Sequence, residues 1–450
     1  MSARTKCSRP AKRPGRTFLR HLLGGLIILA GLLPACRPGP SEGPPPVPGA
    51  ERTFQGVTLT LFGHAPELRP SREDALVRAF EDATGIAIRV IPLSRPGEET
   101  FFALQRLVAQ NAVDILTVDV IWTSAFEPYL RDLGPELGVA AEEHFPAYLA
   151  SGMHNGKLLA MPLYATVGML FSRTDLLAAY GYERPPATWE DLETMARVIQ
   201  DGERRKRAGF TGFVWPGRAD EALTCFGLEV QWSHGAGSFI DEATRQPNVT
   251  SPQANAAYRR VQSSVGSVSP PSVTSYESSD AVHVFREGLA PFMRGWATSY
   301  DFCNSSRSSI RGKFTLSELP HAAGPTPSAG VLGGWMLGIS QKTAHPEAAS
   351  LFVRYMTSPE VQAWRAKRDG IPPSLPALYR DRAILDAQPH FAAVEPVLQQ
   401  AIARPSGVTG ARYEEVSQIY FQGLSAILRG SPPQLVAPLM RKDLSTVLSR

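Results

Sequence analysis

The feature that most constrains the fold of this chain is a regular alternation of predicted strands and helices near its start. The strand segments are rich in β-branched apolar residues, whereas the helix segments show apolar residues at helical spacing. The predicted order is a strand at 57–62, a helix at 71–84, a strand at 86–92, a helix at 98–111 and a strand at 113–121. This order predicts an α/β fold with a parallel sheet, whose ligands bind at the carboxyl ends of the strands.

A carboxylate and an indole come at the end of the third predicted strand. Asp119 and Trp122 lie where this strand passes into the next loop. We therefore expect both side chains to face the ligand crevice of the sheet. The candidate ligand-binding set also includes Glu67, in the loop after the first predicted strand.

A second candidate site is the apolar run 329–340, which Gly333 and Gly334 interrupt just before Trp335. Two adjacent glycines remove side-chain bulk, so a ligand can approach the backbone and its N–H groups closely. The indole beside them offers a flat apolar face, which suits a sugar ring. The alternative interpretation is a strand with a bulge and a core tryptophan.

Aromatic residues end other predicted strands as well, namely Tyr164 and Trp296. Each of these residues on its own is more typical of a core than of a ligand platform. Together with Trp122, Trp335 and the carboxylate of Asp119, they combine apolar faces for a pyranose ring with hydrogen-bond partners for its hydroxyls. The pattern therefore favours a carbohydrate-binding site.

Motifs of catalysis and metal binding are missing from the sequence. It has no H-E-x-x-H, no Cys-x-x-Cys, no G-x-S-x-G and no phosphate-binding G-x-x-x-x-G-K-[ST]. Carboxylates are numerous enough for a glycosidase pair, but nothing marks two of them. We expect neither an enzyme nor a metal or cofactor site.

The N-terminus is typical of an export signal. Residues 1–35 combine basic side chains with a short apolar run at 22–33, and Cys36 follows a Leu-Pro-Ala sequence. This resembles the lipobox of bacterial lipoproteins, in which that cysteine is lipidated. The alternatives are a plain signal peptide and an uncleaved anchor. The Pro- and Gly-rich segment that follows, within 36–55, predicts an extended tether of ~3 Å per residue.

The charge balance excludes one class of function, and the cysteine content leaves the disulfide state open. Of 46 basic side chains, seven fall within 1–35, which leaves 39 against 42 acidic ones in the rest of the chain. This balance argues against nucleic-acid binding. Cys225 and Cys303 could form a disulfide outside the cytosol, or remain as two buried free thiols.

The chain resembles the extracellular solute-binding proteins of bacterial ABC importers, in the maltose/trehalose-binding branch. The matching motifs follow one another over about residues 57 to 450: 119–126, 156–164, 170–177, 185–192, 212–217, 293–296 and 332–335. The resemblance implies a two-lobed periplasmic-binding-protein-like (type II) fold with a hinge and an interlobe cleft. It also implies a monomer, exported and lipid-anchored at the membrane, that delivers a carbohydrate to permease subunits with a cytoplasmic ATPase.

The resemblance also implies a division of the chain and a set of ligand contacts. The expected parts are lobe 1 at 56–163, lobe 2 at 164–327, a return to lobe 1 at 328–372 and C-terminal helices of lobe 2 at 373–450. The hinge is expected near 161–164, 323–328 and 372–373. The cleft residues of the family fall on Asp119, Tyr164, Trp296, Gly333, Gly334 and Trp335.

Several positions depart from the pattern of the family. Thr166 replaces a carboxylate, Thr298 replaces an aromatic residue and Leu375 replaces an arginine. A further arginine of the family, in a helix of the first lobe, aligns with one of the residues Thr100, Phe101 and Phe102. Because a hydrogen bond to a charged group contributes ~1.5–3 kcal/mol, these changes predict a shifted ligand. The competing hypotheses are a scaffold or sensor lipoprotein that has lost tight sugar binding, and a secreted glycan-cleaving enzyme.

Overall fold

The computed structural model describes residues 43–49, 54–63, 70–92, 98–324 and 326–450. The predicted signal peptide, Cys36 and Glu67 lie outside these residues. The strands are β1 (Thr58–Phe62), β2 (Ala87–Ile91), β3 (Ile115–Asp119), β4 (Met153–His154), β5 (Lys157–Leu158), β6 (Ala160–Pro162), β7 (Thr166–Arg173), β8 (Phe213–Val214), β9 (Phe292–Trp296), β10 (Phe314–Ser317), β11 (Leu332–Gly333) and β12 (Trp335–Ile339).

Helices alternate with these strands and then dominate the C-terminal part of the chain. They are α1 (Pro70–Thr84), α2 (Glu98–Ala109), α3 (Gly134–Ala141), α4 (Pro146–Gly152), α5 (Thr174–Ala179), α6 (Trp189–Arg204), α7 (Glu221–Ser233), α8 (Pro252–Ser264), α9 (Ser278–Arg286), α10 (Tyr300–Cys303), α11 (Pro346–Met356), α12 (Pro359–Asp369), α13 (Arg382–Ala387), α14 (Phe391–Gln399), α15 (Ser406–Thr409), α16 (Tyr413–Leu428) and α17 (Pro433–Leu448). In the part of the chain described, no helix has the length and apolar character needed to cross a membrane.

The first sheet has the strand order β2-β1-β3-β12-β6. Strand β1 is parallel to both β2 and β3, as the alternation of strands and helices predicts. Strand β12 enters from far along the chain and runs antiparallel to β3 and β6. We call this sheet and the helices packed on it lobe 1.

The second sheet has the order β10-β7-β9-β8, and β11 also pairs with β7. Strand β7 is buried along its whole length and pairs antiparallel with both β9 and β10. Helix α7 packs against β7, and α16 and α17 pack near α7 and α8. We call this sheet and its helices lobe 2.

The run 329–340, for which a strand with a bulge was the alternative interpretation, is divided between the two sheets. Gly333 pairs with Thr166 of lobe 2, whereas Trp335 pairs with Asp119 of lobe 1. Gly334 between them has φ of 135°, a conformation that glycine adopts without strain. By strand pairing, the chain therefore passes into lobe 1 at Gly334, later than the expected boundary between 327 and 328.

Two other segments connect the sheets. The chain passes from β6 to β7 through residues 163–165, within or next to the expected hinge segment. The backbone N–H of Ala165 donates to the carbonyl oxygen of Pro372 at 2.9 Å, so this segment lies beside the third expected hinge segment. Residues 163–165 and Pro372 are therefore neighbours where the chain passes from one sheet to the other.

The two cysteines of the body are not bonded to each other. Cys225 and Cys303 are both free and buried. Cys225 packs in the core of lobe 2 beside Phe226, whereas Cys303 belongs to a separate group of packed residues. The disulfide alternative is therefore wrong. Burial raises the pKa of each thiol to about 12, which keeps both protonated and unreactive.

Candidate functional site

The carboxyl end of β3 and the start of β12 form the lobe 1 side of the candidate site. Asp119, the last residue of β3, lies directly opposite Trp335 in the antiparallel pair. Asp119 lies at this edge because β3 ends with it. Trp335 begins a new strand because Gly334, with its positive φ, turns the backbone between β11 and β12. Two residues that are distant in sequence are thereby brought to one point.

The aromatic rings of lobe 1 pack edge to face. The ring centroids of Trp122 and Trp335 are 5.4 Å apart at 86°, and Phe101 lies 5.7 Å from Trp122. Only 2% of Trp122 and 3% of Trp335 is exposed. The structure therefore brings together these two candidates, in a packed aromatic group that holds the rings rigidly.

Arg404 of lobe 2 faces this group, and the sequence analysis missed it. Its Nη2 lies 3.3 Å from Oδ1 of Asp119 and 3.4 Å from the carbonyl oxygen of Leu332, just before the glycine pair. Its Nη1 lies 2.8 Å from Oε1 of Glu221, at the start of α7. One guanidinium therefore bridges a carboxylate of lobe 1 and a carboxylate of lobe 2.

A third carboxylate of lobe 2 contacts lobe 1 through an indole. Nε1 of Trp122 donates to Oε1 of Glu414, in α16, at 2.7 Å. We call Asp119, Glu221, Arg404 and Glu414 the interlobe cluster. Since both lobes supply its members, the contacts within the cluster join the two lobes.

Burial changes the proton affinity of two cluster members. It raises the pKa of Asp119 to about 6, although the charge of Arg404 opposes the rise. It raises the pKa of Glu414 from 4.5 to about 8, and the negative charge of Glu221 adds to the effect. At neutral pH, Glu414 therefore holds a proton in this arrangement.

A second group of candidates lies at the lobe 2 end of the glycine pair. Oγ1 of Thr166 is 3.3 Å from Oγ1 of Thr298, and it also accepts the backbone N–H of Thr298 at 3.3 Å. The hydroxyl of Tyr148, in α4, lies 2.5 Å from the carbonyl oxygen of Thr166 and 2.9 Å from that of Gly333. Tyr148, another residue that the sequence analysis missed, thus ties lobe 1 to the lobe 2 strands.

The two glycines leave room for close packing that a side chain would prevent. A Cβ atom at Gly333 would lie 2.7 Å from the ring of Trp296, and one at Gly334 would lie 2.7 Å from the carbonyl oxygen of Tyr164. The ring of Trp296, which is only partly buried, thus packs directly on the bare backbone. Trp296 and the glycine pair form one unit, whereas Tyr164 is 1% exposed and contributes its backbone to this packing.

The remaining candidates are placed elsewhere. Leu375 is buried at the beginning of a short helical turn, so no cation stands there. Thr100 and Phe101 are buried in α2, while Phe102 is 47% exposed. A guanidinium does contact candidate residues elsewhere, because Arg404 contacts Asp119 and the carbonyl oxygen of Leu332.

Across the described residues, no group of three or more histidine, cysteine, aspartate or glutamate side chains is arranged to hold a metal ion. The site instead offers flat rings, carboxylates, hydroxyls, one guanidinium and bare backbone. These groups bind a polar ligand with apolar faces.

Comparison with known proteins decides the family. Residues 75–393, more than half of the chain, match the family described as bacterial extracellular solute-binding protein. This chain is a bacterial extracellular solute-binding protein. The family serves transport and is not an enzyme family, and its extracellular character implies export.

Individual relatives agree with this assignment. The solute-binding protein is 35% identical to a probable ABC transporter-binding protein of Deinococcus radiodurans, over 83% of this chain and 89% of that protein. It is 24% identical to a probable amino-acid ABC transporter periplasmic-binding protein of Sinorhizobium fredii, over 83% and 85% of the two chains. Maltose-bound MalE3 of T. maritima matches with a TM-score of 0.79 and 32% identity, over 87% of this chain and 99% of that one.

These matches confirm the fold class that the resemblance implies. The solute-binding protein has the two-lobed α/β fold of periplasmic sugar-binding proteins, and it belongs to an ABC transport system. As in other proteins of this kind, its partners are a ligand and the permease and ATPase components of the importer.

Proposed function

We propose that this solute-binding protein captures a carbohydrate, either a di- or oligosaccharide or a related glycoside, for import. The observation that carries the proposal is the packing of Trp296 on the bare backbone of Gly333, beside Trp335 and the interlobe cluster. This combination provides aromatic faces for the apolar face of a sugar and polar groups for its hydroxyls. The likeness to maltose-bound MalE3 of T. maritima supports the same class.

Capture and delivery follow from the position of these groups where the lobes join. A ligand that contacts Asp119 and Trp335 of lobe 1 together with Trp296 and Thr298 of lobe 2 binds best when the lobes are close. Ligand binding therefore favours the closed form, which docks on the permease. Arg404 supplies a charged hydrogen-bond donor for the ligand, which Leu375 cannot supply because its side chain is apolar.

A second candidate function is a scaffold or sensor lipoprotein that retains the fold without tight sugar binding. The burial of Trp122, Trp335 and Thr166 by the protein's own side chains favours it. In this case Arg404 and its carboxylates serve only to hold the lobes together.

The ligand is tested by thermal denaturation of the purified full-length protein with maltose, trehalose, tagatose, mannitol and single amino acids. A ligand at 100 times its Kd adds about 2.7 kcal/mol to the free energy of unfolding, which raises the Tm by a few degrees. We expect a rise with at least one sugar. A rise with amino acids alone, or with none of these compounds, contradicts the proposal.

The role of Trp335 is tested by two substitutions. Trp335→Ala removes the stacking face and should abolish the sugar-induced rise in Tm, whereas Trp335→Phe keeps an aromatic ring and should retain part of it. The comparison is made on the shift and not on the Tm itself, because loss of a buried indole alone costs about 3–5 kcal/mol of stability. If both variants keep the sugar-induced rise in Tm of the wild type, the ring of Trp335 does not contact the ligand.

We also propose that the protein is anchored by a lipid on Cys36 and faces the periplasm or cell exterior. The sequence Leu-Pro-Ala before Cys36 supports the lipid anchor, and the tether after Cys36 would hold the folded body away from the membrane. Cys36→Ser should move the protein from the detergent phase to the aqueous phase in phase partitioning. Unchanged partitioning would favour a plain signal peptide or an uncleaved anchor.

A further inference from the structure

We propose that the buried ion pair of Glu229 and Arg294 positions the indole of Trp296 against Gly333. The two residues are then positioning residues for the site, and neither needs to contact the ligand. This inference rests on the proposed function for its effect on ligand affinity, whereas the positioning itself is a property of the protein alone.

The pair is held at two points. Nε of Arg294 lies 2.8 Å from Oε2 of Glu229, and Nη2 lies 2.5 Å from Oε1. Neither side chain is exposed to solvent. Two parallel hydrogen bonds fix the plane of a guanidinium as well as its position, which a single contact cannot do.

The fixed guanidinium lies over the indole of Trp296. The central carbon of Arg294 is 4.2 Å from the centre of that ring. Arg294 and Trp296 are two positions apart on β9, so their side chains leave the same face of the strand. The attraction between the cation and the ring therefore holds the indole at a defined height above the sheet.

The same carboxylate also holds the segment that carries the glycine pair. The backbone N–H of Val331 donates to Oε1 of Glu229 at 3.1 Å, immediately before β11. Glu229 thus fixes Gly333 on one side and, through Arg294, fixes Trp296 on the other. The close packing of Trp296 on Gly333 is the result.

The strand between these elements has a glycine where the ion pair needs space. A Cβ atom at Gly168 would overlap the carboxylate of Glu229 and would lie 2.7 Å from Nη2 of Arg294. Gly168 is the residue that pairs with Trp296 across β7 and β9. The backbone of the site is therefore shaped around the ion pair.

A second buried pair provides a matched control in lobe 1. Arg365 contacts Glu73 at 2.8 and 2.9 Å, and their side chains are 1% and 2% exposed. Another nitrogen of Arg365 donates to the carbonyl oxygen of Met356. This pair therefore has the same chemistry and burial, but it holds helices α1, α11 and α12 and no candidate site residue.

The test compares the double variants E229Q/R294M and E73Q/R365M, each made in the full-length protein. Each double variant removes both charges of a buried ion pair, so neither variant leaves one buried charge without its partner. The first readout is the near-ultraviolet circular dichroism of the protein without ligand, measured with Trp296 present and in a W296F background. The second is the Kd for maltose.

We expect E229Q/R294M to change the near-ultraviolet spectrum, and the change to fall by at least half in the W296F background. We expect its Kd for maltose to rise about tenfold or more, while that of E73Q/R365M stays within about threefold of the wild type. An unchanged spectrum overturns the inference, as does a change of equal size without Trp296.

A milder variant keeps the test decisive if the double variant does not fold. Arg294→Lys keeps the charge but loses the two-point contact, so it should change the Trp296 signal in the same direction and to a smaller degree. No change in that signal overturns the inference. If the wild type binds no sugar, the proposed function fails, and the spectra without ligand still decide whether the pair positions Trp296.

Discussion

Two groups of buried charges serve the candidate site, and they differ in charge balance. The interlobe cluster sets one guanidinium, that of Arg404, against three carboxylates, whereas Glu229 and Arg294 match one to one. In the cluster, Asp119 and Glu221 remain 20% and 25% exposed, while the pair is fully buried. The cluster joins two lobes, and the pair lies within one lobe.

This difference shows where pH acts on the molecule. Burial raises the pKa values of both Asp119 and Glu414, and the negative charge of Glu221 adds to the rise in each case. In the pair, each charge is compensated by its partner. We therefore expect the contact between the lobes to respond to pH, and the packing around Trp296 to depend on the pair as a fixed part of the core.

The largest effect should come from breaking the fixed pair at one side. Arg294→Met leaves the carboxylate of Glu229 buried without its cation, which should lower the free energy of unfolding by about 3–5 kcal/mol. Urea denaturation measures the loss. The control is Arg218→Met. Because Arg218 is 49% exposed in its pair with Asp220, this substitution should lower the free energy of unfolding by at most about 1 kcal/mol. A loss as small as that of the control would remove the distinction between the two groups of charges.

A smaller effect is expected from the equivalent change in the cluster. Arg404→Met should lower the free energy of unfolding by about 2–3 kcal/mol, because solvent and proton uptake can compensate the carboxylates of Asp119 and Glu221 in part. Arg404→Lys keeps the charge and should recover some of the loss. If Arg404→Met lowers the free energy of unfolding more than Arg294→Met does in the same urea assay, the partial exposure of Asp119 and Glu221 does not explain the difference between the interlobe cluster and the Glu229–Arg294 pair.

The smallest effect concerns the pH response itself. Because the pKa of Glu414 is raised from 4.5 to about 8, its contribution is fully present below pH 4.5 and is lost as pH rises through 8. The wild type should therefore lose stability between pH 5 and pH 8. Glu414→Gln cannot ionise, so it should lose less stability than the wild type over this pH range. Because Glu414 is only partly buried and solvent screens its charge, we expect the difference to be roughly 1–2 kcal/mol.

The control for this measurement lies on the same helix. Glu415 is 48% exposed and pairs with Arg450, so Glu415→Gln should keep the slope of the wild type. Thermal denaturation of the three proteins at a series of pH values measures the slopes. Identical slopes for Glu414→Gln and the wild type would show that another group titrates.

Local patterns predicted much of lobe 1 and part of the site. The strands and helices between residues 57 and 121 occur in the predicted order, with ends that differ by a few residues. Thr188 caps the start of α6, where its side chain accepts from the N–H of Asp191. Such features depend on neighbours in sequence, and periodicity and capping report them directly.

Local patterns failed where pairing with distant strands decides the structure. The run 329–340 is divided between two sheets, because β11 pairs in one sheet and β12 in the other. An apolar run indicates burial but does not tell which sheet will bury it. Register and sheet membership depend on partners that a short window does not contain.

The sequence by itself determined the class of the fold, the position of Asp119 and Trp122 at a strand end, and the bare backbone at Gly333 and Gly334. These properties follow from side-chain spacing and from the absence of Cβ atoms, which are visible in any short segment. Only the tertiary structure brought Arg404 to Asp119, across 285 positions of the chain, and Glu414 to Trp122, across 292. Such contacts carry no local signal, because burial and charge pairing act between elements that fold together only in three dimensions.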